Sequence, residues 1–224
     1  MSHEVPGSGR LTAAERALVA RSLTFAGIDA DTLMVKALRP DSALRYLRAE
    51  ISAGVEAVPF DWRLVGGSVS RQQDTTHLVS PGDFVRAFGL GYPDSPFGTD
   101  PVSVQTMEFR AVDVERFVLP LGAPTQPYPE FGYPPNQGAV RAAASAMTDA
   151  AREAGIDPNM IREELNPWPF TGIGLTADSE LRIPEYWMRF SQIPASATIY
   201  DHSGGVKTAV GVYRSAALGW EDLR

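Results

Sequence analysis

The stretch PTQPYPEFGYPPNQG, residues 124–138, packs five prolines and three aromatic rings into fifteen residues. Proline fixes φ and has no amide to donate, so neither an α-helix nor an interior strand can run through it. The chain is thereby split into two parts joined by an extended strap. Long ordered loops need anchors, which assigns Tyr128, Phe131 and Tyr133 either to pinning the strap on the body or to holding a partner.

Amino-terminal to the strap, LTAAERALVARSLTFAGI predicts a helix over 13–26. Thr12 and Glu15 have capping-box spacing, Leu11, Ala14, Leu18 and Phe25 share a stripe, and Gly27 closes the end. DADTLMVKAL predicts a short second helix before Pro40, and Asp41 caps a third through SALRYLRAEISAG, with Leu44, Leu47 and Ile51 on one face and Gly54 as its stop. From 55 to 121 the texture changes to β-branched and aromatic runs divided by VGGS, SPGD and GYPDSPFGTDP. VPFDWRLV, TTHLV, VSVQTMEFRAV and RFVLPL then read as strands.

Beyond the strap, GAVRAAASAMTDAAREAG predicts an alanine-rich helix with Val140, Ala144, Met147 and Ala151 on one side and Gly155 at its end. Asp157 and Pro158 open a further helix through IREEL, since proline wastes no amide at the first helical position. The tail predicts a β-hairpin with loop DHSGG and a second strand alternating Val206, Thr208, Val210 and Val212. The expectation is an α+β fold: N-terminal helices packed on a largely antiparallel sheet, a central Ala-rich helix and a C-terminal β-hairpin. A flexible tail over 1–10 and a single domain over 11–224 complete it.

Composition removes several classes of function. The chain has no cysteine, which excludes disulfides, thiolate catalysis and Cys-ligated metals. Its three histidines show no metal-site spacing: His3 lies in the tail, His202 in the hairpin loop and His77 on an expected strand. A net charge of −7 opposes phosphate backbones, so nucleic acid is not an expected partner. No apolar run approaches the ~20 residues of a membrane span, and the first ten residues lack the basic and apolar regions of a secretory signal. The expected location is cytoplasmic, or outside the cell by a signal-peptide-independent route.

One polar cluster stands out, DWRLVGGSVSRQQDTTHLV, which gathers Asp61, Arg63, Ser68, Ser70, Arg71, Gln72 and His77. An arginine on a strand, a serine-x-serine turn and a distant glutamate resemble ADP-ribosyl transfer sites, in which the arginine holds phosphate and the glutamate stabilises oxocarbenium charge. Glu130, Glu180 or Glu185 is available as the acid. A Ser–His–Asp group from Ser68 or Ser70, His77 and Asp74 or Asp83 has no nucleophile-elbow pattern behind it. The aromatics Trp168, Phe170, Tyr186, Trp187 and Phe190 are expected to fill the core beneath the strap, or else to form a recognition surface with Trp168 exposed.

The fragment YPPNQG, Tyr133 to Gly138, also resembles a stretch near the start of the tuberculosis necrotizing toxin family of NAD glycohydrolases. That family continues with a strand leading to an Asp-Arg-Phe-Gly motif, whereas an alanine helix is expected here, so no catalytic residue carries over. Two functions follow from these residues. The favoured one is a soluble, acidic interaction or assembly protein that binds a protein partner through Tyr128, Phe131, Tyr133 and Trp168. The alternative is a toxin-like enzyme acting on a nucleotide or NAD-like anionic small molecule, with Arg63, Ser68, Ser70 and Glu185 catalytic and NAD as cofactor. No metal is expected in either.

Overall fold

The computed structural model describes residues 27–52, 60–91, 95–98, 100–121, 161–163, 176 and 183–224. The helices expected over 13–26 and 139–155 and the strap itself lie outside the described residues.

Chain order runs β1 (Leu33–Leu38), α1 (Ser42–Leu47), β2 (Ile51–Ser52), β3 (Phe60–Asp61), β4 (Leu64–Arg71), α2 (Pro81–Ala87), β5 (Ser103–Arg110), β6 (Phe117–Leu121), β7 (Ile161–Glu163), β8 (Tyr186–Gln192), β9 (Thr198–Ser203), β10 (Val206–Ser215) and β11 (Gly219–Asp222). Strands β2 and β3 pair with each other. The other nine form one sheet in the order β11-β10-β9-β5-β1-β4-β8-β6-β7. Its pairings are antiparallel except the last, β6 with β7. The fold is therefore sheet-rich and mixed α+β, with a largely antiparallel sheet.

Several local expectations give way. LMVKAL is strand β1, not a helix: it lies between β4 and β5, with Val35 opposite Ser70 and Glu108. Met34 and Leu38 are buried on one face, while Ala37 packs with the apolar cluster on the other. VGGS is the interior of β4 rather than a turn. TTHLV is not a strand, because a 3₁₀ turn over Gln72–Thr75 follows β4 directly. SPGD opens α2, where Ser80 and Asp83 form a reciprocal capping box and Pro81 occupies the first turn. IREEL contributes Ile161–Glu163 to strand β7 instead of a helix. The third expected helix stops at Leu47, and Ile51 enters β2.

The C-terminal hairpin forms, but its turn is Gly204 and Gly205 alone, at φ 55° and 76°, while Asp201, His202 and Ser203 belong to β9. A register shift between Ala209 and Gly211 breaks the expected valine stripe, and the inward positions become Gly211 and Tyr213 while Val206 is exposed.

Each helix covers one face. Tyr46 and Leu47 of α1 pack on the larger core of Met34, Leu38, Val65, Val69, Met107, Phe109, Tyr186, Ile199 and Tyr213. Phe84, Val85 and Ala87 of α2 join Leu78, Phe97, Val104 and Ile183 on the opposite face. Burying side chains of this size contributes about 1.5–3 kcal/mol each, which holds the sheet in a fixed register. That register brings β1, β4 and the residue before β8 together.

Candidate functional site

Central strands of a sheet are expected to be apolar where they are buried, yet two adjacent ones and the residue leading into a third carry polar groups that meet. Lys36 on β1, Ser68 on β4 and Glu185, immediately before β8, form a connected unit. The Ser68 hydroxyl donates to Glu185 Oε1 at 2.5 Å, and Lys36 Nζ donates to the Ser68 carbonyl oxygen at 3.3 Å.

Glycine makes the arrangement fit. A Cβ on Gly66 would meet the Phe190 backbone at 2.8 Å, so only glycine allows β8 this close. Gly67 has φ +89° at the register shift between β4 and β8, and a Cβ there would stand 3.3 Å from Lys36 Nζ. The Val-Gly-Gly-Ser run thus bends the strand and leaves room for the ammonium.

Burial governs the charges. Glu185 is 6% exposed, and desolvation pushes its carboxyl up to about 7 against the opposing effects of the Ser68 hydrogen bond and the Lys36 charge. Desolvation likewise pulls Lys36 down to about 8, with Glu185 opposing. At pH 7 about half of the Glu185 carboxyl is therefore uncharged, and about a tenth of the Lys36 amine.

Lys36 also lines a cleft of about 390 Å³ with Arg39, Asp41, Ser42, Arg45, Tyr46, Phe60, Asp61, Gly66 and Phe190. Arg39 and Arg45 approach Asp41 to 3.9 and 3.7 Å, and Arg45 also donates to the Ser52 hydroxyl, stands 3.6 Å from Glu50 and lies over the Phe60 ring at 4.0 Å. Asp61 is engaged by Arg63, which donates to both carboxylate oxygens and holds that carboxyl below the usual range. A second cleft, about 270 Å³, contains Arg110 and Arg116. There the arginines already face Asp31 at 3.3 Å and Asp113 at 2.5 Å.

Of the residues singled out in the sequence, Ser68 and Glu185 meet directly. Arg63 does not join them; it sits in the turn between β3 and β4, at the rim of the cleft through Asp61. Ser70 is buried within β4, so the two serines belong to a strand and not to a turn. His77 is exposed. Asp74 is bonded to Arg71, and Asp83 caps α2. These placements separate the members of the Ser–His–Asp alternative.

His202 lies on β9 instead of in the hairpin loop, buried, 2.9 Å from the Thr106 hydroxyl and against the Phe84 ring. Burial lowers it to about 4, so it is neutral at physiological pH. Tyr186 is core as expected, whereas Phe190 is 57% exposed and borders the cleft. Tyr128, Phe131, Tyr133, Trp168, Phe170, Glu130 and Glu180 lie outside the described residues. Among the described residues no group of three or more His, Asp or Glu side chains could hold a metal ion, and no helix is long and apolar enough to cross a membrane.

Sequence reasoning missed Lys36. The available signal was its isolation: it is one of two lysines in the chain and interrupts an otherwise apolar run. Comparison of the chain with family models, curated proteins and solved structures gave no match.

Proposed function

We propose that the chain binds a nucleotide or a similar anionic small molecule in the cleft above Lys36. The observation that carries this reading is the convergence of Lys36, Arg39 and Arg45 on one concavity of about 390 Å³. Ligand sites combine a concave, partly apolar wall with a few convergent polar groups and perturbed acids or bases, and Tyr46, Phe60 and Phe190 supply the apolar share. Arg39 is exposed and only loosely paired, so its guanidinium is available to a phosphate or carboxylate. Arg63 keeps Asp61 neutralised and so prevents that carboxylate from repelling an anion.

Calorimetric titration with ADP, pyrophosphate and uncharged adenosine tests the reading. Binding of the two anions, weakened roughly tenfold by Arg39→Gln through loss of about 1.4 kcal/mol, is expected. Absence of heat with both anions at millimolar concentration, or equal affinity for adenosine, overturns it. The same protein incubated with NAD reports on turnover: nicotinamide release assigns a hydrolase or transferase to the site, and binding without release assigns a binding protein.

A further inference from the structure

We propose that Lys36 is an amine nucleophile that forms an imine with an anionic carbonyl compound held in this cleft, a proposal that rests on the cleft reading above. Four observations meet at one atom. Lys36 is one of the residues that line the cleft. Its one described hydrogen bond goes to a neutral carbonyl oxygen at 3.3 Å, and it makes no ion pair among the described residues. Gly67 leaves the volume beside it empty of side chain. The cationic groups opposite, Arg39 and Arg45, suit a phosphate or carboxylate on the same ligand.

A lysine held this way differs from a surface lysine. An ordinary ammonium is strongly hydrated and has no lone pair to donate, whereas desolvation that outweighs a nearby carboxylate returns the lone pair to a fraction of the amines near neutral pH. The charged groups facing it are Arg39, Asp41, Arg45 and Asp61 across the cleft and Glu185 through Ser68. Glu185 favours a charge on Nζ, while Asp61 is ion-paired with Arg63 and Asp41 lies between the two arginines. Burial of Nζ outweighs Glu185, lowering it to about 8.

In the step itself Nζ gives its lone pair to the carbonyl carbon, and the C–O π pair moves to oxygen. The two nitrogen-bound protons end on that oxygen, which leaves as water while the nitrogen lone pair closes the C=N bond. No oxidant or reductant is required, and water reverses the reaction.

The chain offers an internal control, since Lys207 is its only other lysine. The full chain is exposed to pyridoxal 5′-phosphate at neutral pH, trapped with borohydride at short times, digested, and the mass increment on each lysine peptide is followed. Lys36 is expected to label on the order of ten times faster than Lys207, because the neutral amine is the reacting form. Labelling of Lys36 no faster than Lys207 overturns the imine proposal, and this comparison needs no variant. Unphosphorylated pyridoxal and competing pyrophosphate separate the two readings. Fast labelling that ignores both the ligand's phosphate and the competitor retains the reactive amine and removes the anion cleft. Pyrophosphate binding that persists in Lys36→Arg while wild-type Lys36 stays unlabelled retains the cleft and removes the imine.

Discussion

Glu185 holds a proton at a pH where an ordinary glutamate has lost it, and that difference is readable as stability. Its carboxyl titrates near 7 in the folded chain against 4.5 ordinarily, so between those values the folded state binds more protons than the unfolded one. Stability from this group is complete below 4.5 and is lost as pH rises through 7. Lys36 acts in the opposite sense, since its folded value of about 8 lies under the ordinary 10.5, and its contribution returns as pH rises through that interval. Glu185→Gln is therefore expected to flatten the fall in unfolding free energy between about pH 5 and pH 7, a change of order 1–3 kcal/mol by denaturant titration. An unchanged slope contradicts the assignment. Ser68 and Glu185 were legible in the sequence as residue types suited to such a role, but their direct contact was not. Their link spans 117 positions and depends on the pairing of β4 with β8, which no local pattern encodes.

At the scale of elements, what was legible was local. The hairpin at DHSGG could be read because its glycines supply the positive φ its turn requires, and the strand VSVQTMEFR could be read from its β-branched and aromatic content. LMVKAL could not. Leucine, methionine, lysine and alanine all favour helix, and only pairing with Arg71 and Ser70 on one side and residues 105–110 on the other makes the segment a strand. The glycine pair misled in a related way, because close approach of β8, not a turn, is what requires Gly66. Gly66→Ala is expected to destabilise by about 1–3 kcal/mol, as overpacking against backbone does, and to shift the thermal midpoint down. Gly82→Ala, with 3.8 Å to its nearest neighbour in α2, serves as the control and changes little. Equal effects at the two positions contradict the proposed β4–β8 geometry.

At the scale of the whole molecule, composition and site point in different directions. A net charge of −7 describes the surface at large, while the cleft presents Lys36, Arg39 and Arg45 together. Summed charge therefore bears on solubility and on long-range partners, and the local field decides what enters the cleft. The proline strap that organised the sequence lies outside the described residues, and the site depends on the sheet and on the Lys36–Ser68–Glu185 group within it. Its most direct test is nuclear magnetic resonance of the lysine side chains. In Lys207→Arg a single lysine remains, and its Cε or Nζ resonance can be followed with pH. A titration midpoint near 8 is the result expected for an amine held inside the sheet beside Glu185. A midpoint at the ordinary 10.5 would place Lys36 in water and contradict the site.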